Sequence, residues 1–389
     1  MFYLGCDQHA RQITICLRDE AGDVVQKRQV STQPKKIREF LEELRQQTEH
    51  DGGYIAIVEV CGFNDWFLDL LDEMGCRQVI LAQPENSNSR KTDRRDAAKL
   101  SEQLWMNRLR IAEGKRIQGM RQVVPPGRED VNLRKLTQRR GKRRRQRGRI
   151  LVQIKTLLRN YNLQHECPTK GLDTKTAFAW LRELDSLSAE DRLELDQLIE
   201  DYELVNQQLE KIDALLEIHG KRHEDKLAAL RTIPGCGLFS ALVLISRIGD
   251  LSRFASPRAL ANYFGLTPTC RNSGEQTKRL GAISKEGSKL VRFVLGLMIT
   301  QVVRRDAWMR AFYGRIKKRR GAKIARVAVM RRLCTVIYRM LQKNEPYAAG
   351  GPAAVLRQRE LIEAFSSGGG GEDAGSEFAR EEMSLAASG

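Results

Sequence analysis

The sequence has 389 residues, with 67 Lys and Arg against 49 Asp and Glu, which gives a formal net charge of +18. This excess predicts a polyanionic partner, and the absence of any run of 18 apolar residues excludes a membrane-spanning helix. The eight cysteines form no CxxC pair, so we expect reduced thiols rather than a disulfide framework or a zinc site. The opening residues show no secretory signal, and we expect a cytoplasmic protein of two or three domains.

Residues 1–110 have the pattern of an α/β domain. Short strands are predicted at residues 3–7, 13–17 and 24–30, and the second shows the alternation of a half-buried strand. A helix at 34–47 follows, and the apolar run at 54–60 is typical of a central strand covered on both faces. A helix at 64–74, a strand at 78–82 and a helix from about residue 92 come next. The order β-β-β-α-β-α-β-α is that of the RNase H-like fold.

Four carboxylates stand at the ends of these elements. Asp7 ends the first strand, Glu59 lies near the end of the central strand, and Asp93 and Asp96 begin the last helix. If the first and fourth strands are neighbours, the four acids meet at one sheet edge and could hold two divalent cations for phosphoryl transfer, Mg²⁺ or Mn²⁺. Asp is a poor strand residue, and a carboxylate in an apolar run is costly, which favours a functional role for Asp7 and Glu59. Asp93 and Asp96 could instead be a helix cap and a first-turn charge.

The middle of the chain has a different pattern. Residues 111–230 contain two long charged helices, at 132–164 and 189–223, and the second has the apolar spacing of a heptad seam, which predicts a helical hairpin or coiled coil. His219 and His223 are four residues apart without further ligands nearby, and we expect them to be solvated surface histidines. Residues 231–345 form a mostly helical unit, and residues 346–389 a tail that is disordered from about residue 366.

A second candidate site is the polar loop at Ser273-Gly274. Upstream, residues 232–237 (TIPGCG) lead into an apolar helix, an arrangement that exposes backbone N–H groups to a phosphate. No histidine lies nearby, which argues against a Ser-His-Asp hydrolase, and from the residues alone an ordinary Ser-Gly turn is the simpler interpretation. The basic residues expected to contact nucleic acid around this loop are Arg271, Lys278, Lys285 and Arg292.

The densest basic run covers residues 134–149, and a second cluster lies at 317–320. Such runs are usually solvated helix faces. At this density like-charge repulsion disfavours an isolated helix, so contact with nucleic-acid phosphates is the favoured interpretation. The candidate contacts in the first run are Arg139, Arg140, Arg143, Arg144 and Arg145.

Taken together, these motifs resemble the transposases of insertion-sequence family 110, the bridge-RNA-guided recombinases. The resemblance covers about residues 3–110 and 228–310. It depends on the order of GCD, VEVCGF, QPENSNSRKTDRRDA, IPGCG and the series GLTP, SG and ISKEG, since none of these is specific alone. The sequence departs from many relatives at Cys6, Gln8 and His9 beside the first Asp, and at Phe63, where a Tyr is frequent.

The resemblance implies the roles of the candidate residues. The four acids would form a RuvC-like metal site, and Ser273 would attack a phosphodiester and form a covalent phosphoserine link to DNA. It also implies a composite active site, with acids and serine from different protomers, in a dimer that assembles into a tetramer on donor and target DNA. A non-coding bridge RNA would pair with both DNAs, and the basic stripe of residues 134–149 could hold its A-form backbone. A nucleoid-associated protein without membrane contact is expected.

Two other functions fit the same residues. A structure-selective endonuclease of the Holliday-junction resolvase type would use the acids with water as nucleophile, and Ser273 would be incidental. A non-enzymatic RNA- or DNA-binding scaffold would need no divalent ion. A covalent protein–DNA adduct distinguishes the recombinase from the endonuclease, and metal dependence distinguishes both from the scaffold.

Overall fold

The computed structural model describes residues 1–83, 93–270 and 280–349, with the backbone alone at residues 93–95, 270 and 280. The chain divides into two compact units, Met1–Pro125 and the part from Pro126 onward. Every helix in the described ranges is too short or too polar to span a membrane. The expected tail disorder and the Ser273 loop lie outside these ranges.

The first unit is built on a six-stranded mixed sheet with the strand order β3-β2-β1-β4-β5-β6. The strands are β1 (Phe2–Gln8), β2 (Gln12–Arg18), β3 (Val24–Ser31), β4 (Tyr54–Glu59), β5 (Val79–Gln83) and β6 (Arg121–Val123). The first three form an antiparallel meander, β4 and β5 run parallel to β1, and β6 is antiparallel to β5. The predicted order of elements is present and compatible with an RNase H-like domain. The unpredicted strand β6 extends this unit past residue 110.

Helices cover both faces of this sheet. They are α1 (Pro34–Thr48), α2 (Asp65–Glu73), α3 (Asp93–Met106) and α4 (Arg108–Ala112), with a 3-10 turn at Glu49–Asp51. The predicted apolar face of α1 is buried with α2 against one side of the sheet, and α3 covers the other side. The expectation of a half-buried second strand was wrong. Thr14 and Cys16 are buried as well, because α3 also packs on β2.

Helix α3 lies directly on β1 at Gly5. A Cβ atom at Gly5 would overlap the Ala97 carbonyl oxygen and stand 2.5 Å from the Ser101 backbone nitrogen. Both obstructing atoms belong to helix backbone, which cannot rotate away as a side chain can. Glycine at position 5 is therefore what allows α3 to pack this closely on the strand that carries Asp7.

We expect Gly5→Ala to lower the free energy of unfolding of the first unit by about 3 kcal/mol, because α3 must move off the sheet to admit the methyl group. Gly62→Ala is the matched control, since among the described atoms nothing lies within 4 Å of its added Cβ. Its effect should stay within about 0.5 kcal/mol. Denaturant titration monitored by circular dichroism measures both, and equal stability of the two variants would contradict the close packing.

The second unit is largely helical. Its helices are α5 (Arg128–Asn160), α6 (Lys175–Glu183), α7 (Ala189–Arg222), α8 (Glu224–Arg231), α9 (Leu238–Ile248), α10 (Pro257–Tyr263), α11 (Lys289–Arg305), α12 (Ala307–Arg320) and α13 (Ala322–Lys343). Short 3-10 turns lie at Leu163–His165 and Leu251–Arg253, and a hairpin is formed by β7 (Pro268–Cys270) and β8 (Leu280–Ile283). Helices α9, α11 and α13 contribute most of a buried apolar core.

The long helices α5 and α7 pack side by side. Residues further along α5 contact residues earlier in α7, since Arg140 bonds Asp213 and Arg147 bonds Asn206. The two helices are therefore antiparallel. The predicted apolar seam of α7 is buried along its length, and Tyr202 stacks on Phe178 of α6 with the ring centroids 4.3 Å apart.

The expectation of solvated histidines on α7 was wrong. The side chains of His219 and His223 are only 15% and 17% exposed. Both rings face Glu129 at the start of α5, with nitrogen-to-oxygen distances of 3.9 and 3.8 Å. Packing of α5 against the end of α7 removes these rings from water, which the spacing of the two histidines along one helix does not reveal.

Candidate functional site

Asp7 and Glu59 lie side by side at the carboxyl ends of two neighbouring parallel strands. In the register of β1 and β4, Cys6 stands opposite Val58, so the next positions along both strands are Asp7 and Glu59. Neighbouring strands are about 4.8 Å apart, which brings the two backbones close. The period of two places both residues on the face covered by α3. Asp7 is 7% exposed and Glu59 is half-buried.

The head of α3 points toward the same sheet edge. Trp105 near the end of this helix donates a hydrogen bond to the Glu20 carbonyl, whereas Ala97 lies over Gly5, two residues before Asp7. Moving back along α3 thus leads along β1 toward Asp7. Asp96 is half-buried in the first turn, one residue before the buried Ala97.

The predicted four-acid site is only partly covered by the described residues. The side chain of Asp93 lies outside them, whereas those of Asp7, Glu59 and Asp96 lie within. Among the described side chains, no three His, Cys, Asp or Glu groups are close enough together to hold a metal ion. The metal site therefore stays a prediction, supported by the strand register and by the direction of α3.

The neighbours of Asp7 include a histidine and a buried cysteine. His9 Nε2 lies 3.1 Å from Asp7 Oδ2, and the His9 side chain is 46% exposed. Burial raises the pKa of the neighbouring Cys6 thiol well above its usual value, and the nearby Cys76 and Asp7 raise it further. Cys6 is therefore a neutral core residue, and the oxygen donors of Asp7 and Glu59 are the ligand type that hard divalent cations prefer.

A buried amide pair ties the ends of β1 and β4 together, and the sequence patterns did not predict it. Asn64 Nδ2 donates to Gln8 Oε1 at 2.9 Å and to the Glu59 carbonyl at 3.0 Å, and Asn64 Oδ1 accepts from the Cys61 backbone N–H at 2.6 Å. Gln8 Nε2 in turn donates to the Phe63 carbonyl at 3.2 Å. Asn is common at helix starts as a capping residue, but the Asn64 side chain makes no capping hydrogen bond to α2, so its position alone gave no sign of its contact with Gln8.

The candidate serine lies between β7 and β8 in the chain. Ser273, Arg271 and Lys278 are outside the described residues, but the base of the hairpin is well defined. A Cβ at Gly287 would overlap the Tyr263 carbonyl oxygen, so the turn after β8 packs against the turn before β7.

The two described basic residues near this hairpin differ in their surroundings. Arg292 Nη1 donates to the carbonyls of Phe264 and Gly287, both at 3.0 Å, and burial lowers its pKa. Lys285 is exposed and has a left-handed backbone with φ of 55°. Arg292 thus holds the two turns together, and of this pair Lys285 is the one available at the surface.

The basic run on α5 has two distinct faces. Arg140 donates to Asp213 of α7, and its guanidinium lies 4.5 Å from the centre of the Phe239 ring. Arg143 is half-buried and donates to Gln146. The exposed basic residues of the run include Arg139, Lys142, Arg144, Arg145 and Arg149. Four of these, at positions 139, 142, 145 and 149, are spaced by three or four residues and so share one side of the helix.

Helices α12 and α13 form a second basic surface. The sequence contains no Asp or Glu from residue 307 to residue 344. Trp308 and Phe312 are stacked with centroids 5.8 Å apart, and Arg332 and Arg315 lie over these two rings. The exposed cations around the α12–α13 turn include Lys317, Lys318, Arg319, Arg320, Lys323 and Arg326.

Two family models match the chain. A model described as the transposase family IS116/IS110/IS902 matches residues 227–314, which include the β7–β8 hairpin. A DEDD transposase model of IS110 matches residues 4–163, which include Asp7, Glu59 and the head of α3. Together the two matches cover more than half of the chain.

Individual relatives agree with these matches. The transposase for insertion sequence element IS1111A of Coxiella burnetii is 25% identical over 316 residues, which are 76% of this chain and 79% of that protein. The pilin gene-inverting protein of Moraxella bovis is 32% identical over 124 residues, 31% of this chain and 38% of that protein. The transposase for element IS1328 of Yersinia enterocolitica is 32% identical over 101 residues, 26% of this chain and 30% of that protein. The chain therefore belongs to the IS110 family of insertion-sequence transposases, which are DNA-processing enzymes of transposition and recombination.

Proposed function

We propose that this transposase exchanges DNA strands under the guidance of a bridge RNA, through a metal site at Asp7, Glu59, Asp93 and Asp96 and a covalent phosphoserine link at Ser273. The observation that carries the proposal is the parallel register of β1 and β4, which brings Asp7 beside Glu59 at the sheet edge toward which α3 points. Transposases of the DEDD type generally use divalent ions, which agrees with the oxygen donors at this edge.

The carboxylates would hold Mg²⁺ or Mn²⁺. A bound divalent cation supplies Lewis acidity, which polarises the scissile phosphate and offsets the charge that develops on it. Without a cation, bringing several carboxylates together is unfavourable because like charges repel. The close packing of α3 on Gly5 and the Gln8–Asn64 pair keep the strand ends and the helix head in fixed positions, which limits the reorganisation needed when DNA binds.

The serine step is a phosphoryl transfer that conserves the bond energy of the DNA backbone. Ser273 Oγ forms a bond to the phosphorus, the bond from phosphorus to one bridging sugar oxygen breaks, and the departing oxygen becomes a hydroxyl. A carboxylate acting as base takes the serine proton and then donates it to the departing oxygen. The reverse reaction, with a sugar hydroxyl from another strand, joins the new ends and releases Ser273. In our proposal the acids and the serine come from different protomers of a dimer, and two dimers form a tetramer on donor and target DNA.

The basic surfaces give this proposal its nucleic-acid contacts. The exposed face of α5 would bind the phosphates of the guide RNA or DNA. Cations spaced along one side of a helix contact the phosphate backbone and make no sequence-specific contacts with the bases. Arg139 and Arg145 on this face and the exposed Arg144 remain candidates, together with Lys285 just after β8. Arg140 and Arg292 are engaged within the protein, and we assign them to the support of the fold.

Trapping of a covalent adduct tests the proposed function directly. The full chain is incubated with Mg²⁺, the non-coding RNA from the flanking DNA and DNA carrying the element's ends, and is then denatured and run on a gel. We expect a protein–DNA band that appears only when the divalent ion is present. Free cleaved ends without such a band would favour the endonuclease that uses water. DNA binding without any cleavage in Mg²⁺ or Mn²⁺ would favour the non-enzymatic scaffold.

A triple replacement on α5 tests the basic face. We expect Arg139→Gln, Lys142→Gln and Arg145→Gln together to lower the slope of log affinity against log salt by about three, because each removed cation would otherwise neutralise one phosphate. Stability should not change, because these side chains are exposed. Fluorescence anisotropy with duplex RNA and duplex DNA over a salt series gives the slopes.

Arg140→Gln is the matched control for this triple variant. It should destabilise the chain by about 1–2 kcal/mol, because the hydrogen bond to Asp213 is removed, and it should leave the salt slope unchanged. A slope that falls for Arg140→Gln and stays constant for the triple variant would contradict the division of the helix into an inner and an outer face.

A further inference from the structure

Residues 60–66, which we call the aromatic loop, comprise the connection between β4 and α2 and the first two residues of α2, and they expose three large apolar side chains. Val60, Phe63 and Trp66 are 38%, 44% and 39% exposed. The next aromatic residue, Phe67, is by contrast fully buried in the core, and its ring lies 5.5 Å from that of Trp66. Exposed apolar side chains clustered in this way are unfavourable in water and often mark a binding surface.

Hydrogen bonds attach this aromatic loop to the strand ends that carry the candidate acids. It begins at the residue after Glu59, and the Val60 N–H donates to the Ala82 carbonyl at 3.0 Å. The Phe63 carbonyl accepts a hydrogen bond from Gln8, the residue after Asp7, and Asn64 is 5% exposed and bonded to Gln8. These hydrogen bonds place the backbone of residues 60–64 at the carboxyl ends of β1 and β4, the sheet edge that carries Asp7 and Glu59.

We propose that Phe63 and Trp66 form a stacking surface for an unpaired DNA base next to the cleaved phosphate. This inference builds on the proposed function, because guided strand exchange opens a DNA duplex and leaves bases unpaired beside the acids. Aromatic rings bind such bases through their faces without regard to sequence, which suits a site whose specificity comes from RNA pairing.

The composition of the loop argues for base contact and against phosphate contact. Residues 60–66 (VCGFNDW) contain no Lys or Arg and include one Asp. A loop of this kind cannot neutralise phosphates, so its contribution to binding should not depend on salt. This separates it from the basic face of α5, whose contribution should fall steeply as salt rises.

Equilibrium binding to two DNA probes tests the stacking surface. One probe is a paired duplex, and the other is the same duplex with a short unpaired bubble containing 2-aminopurine, whose fluorescence is quenched by stacking. We expect Phe63→Ala and Trp66→Ala each to weaken binding to the bubble by about five- to 150-fold. Binding to the paired duplex and the salt slope should both stay unchanged, and the quenching should disappear.

Conservative variants separate stacking from a structural role. Phe63→Tyr should retain binding and quenching, whereas Phe63→Leu keeps an apolar side chain and should abolish both. Leu109→Ala is the control, because Leu109 is 70% exposed elsewhere in the first unit and should change neither probe. If Phe63→Ala fails to fold, the comparison of Phe63→Tyr with Phe63→Leu still decides the question.

Several outcomes would overturn the inference. Equal losses of affinity for the bubble and for the paired duplex, or unchanged quenching in Phe63→Ala, would each do so. A third probe carries the same bubble in RNA, and a Phe63-dependent preference for it over the DNA bubble would also overturn the inference. The assay needs no cleavage. A chain that shows Phe63-dependent bubble binding but never forms a covalent adduct would support the stacking surface and contradict the proposed function. A chain that forms the adduct but shows no Phe63-dependent bubble binding would support the proposed function and contradict the stacking surface.

Discussion

Ser273→Ala is expected to abolish both strand exchange and the covalent protein–DNA adduct. Removing a catalytic nucleophile lowers rates by about a millionfold in enzymes where the effect has been measured, since no other group forms the bond. Binding of DNA and RNA should persist, because alanine removes only the hydroxyl. Denaturing gels of reactions with labelled DNA measure the adduct, and sequencing of the joined products measures exchange.

Ser284→Ala is the matched control for this prediction. Ser284 lies just after β8, and its hydroxyl has no hydrogen-bond partner among the described residues. Both activities should survive in this variant. An adduct that forms equally well in Ser273→Ala would show that another residue is the nucleophile, and exchange without any adduct in the unmodified chain would point to water.

Glu59→Gln and Asp7→Asn are each expected to lower the rate of strand cleavage by about a hundred- to a thousandfold. The amides keep the size of the side chains but remove the charge that would attract a divalent ion. A second readout is independent of activity. Mg²⁺ or Mn²⁺ should raise the melting temperature of the unmodified chain, since a ligand of the folded state stabilises it, and this rise should shrink in both variants.

Glu73→Gln provides the control for the acid variants. Glu73 is an exposed carboxylate of the same unit, paired with Arg38 on α1 rather than placed at the strand ends. Cleavage and the metal-induced stabilisation should both be unchanged in this variant. If Glu59→Gln kept the full metal effect on melting, the divalent ion would bind elsewhere, and the assignment of Glu59 as a ligand would be wrong.

Local periodicity predicted much of the first unit. The strands of the meander, the central strand and the buried face of α1 were predicted from short stretches of sequence. Burial of one face of an element leaves a regular repeat of apolar residues, and burial of both faces leaves a continuous apolar run. The seam of α7 was predicted for the same reason. By contrast β6 has only three residues, too few to show any period, and its role depends on pairing with β5.

The candidate site likewise has features that the sequence determined and others that only the tertiary structure decided. The sequence alone determined the identity and order of Asp7, Glu59, Asp93, Asp96 and Ser273, and these motifs carry the family resemblance. Only the tertiary structure distinguished Arg140 from its neighbours, joined Gln8 to Asn64 and brought His219 to Glu129, since each of these contacts joins residues at least 50 positions apart in the chain. The physical reason is that a side chain's chemistry is fixed by its type, whereas its burial and partners depend on which distant segment packs against it.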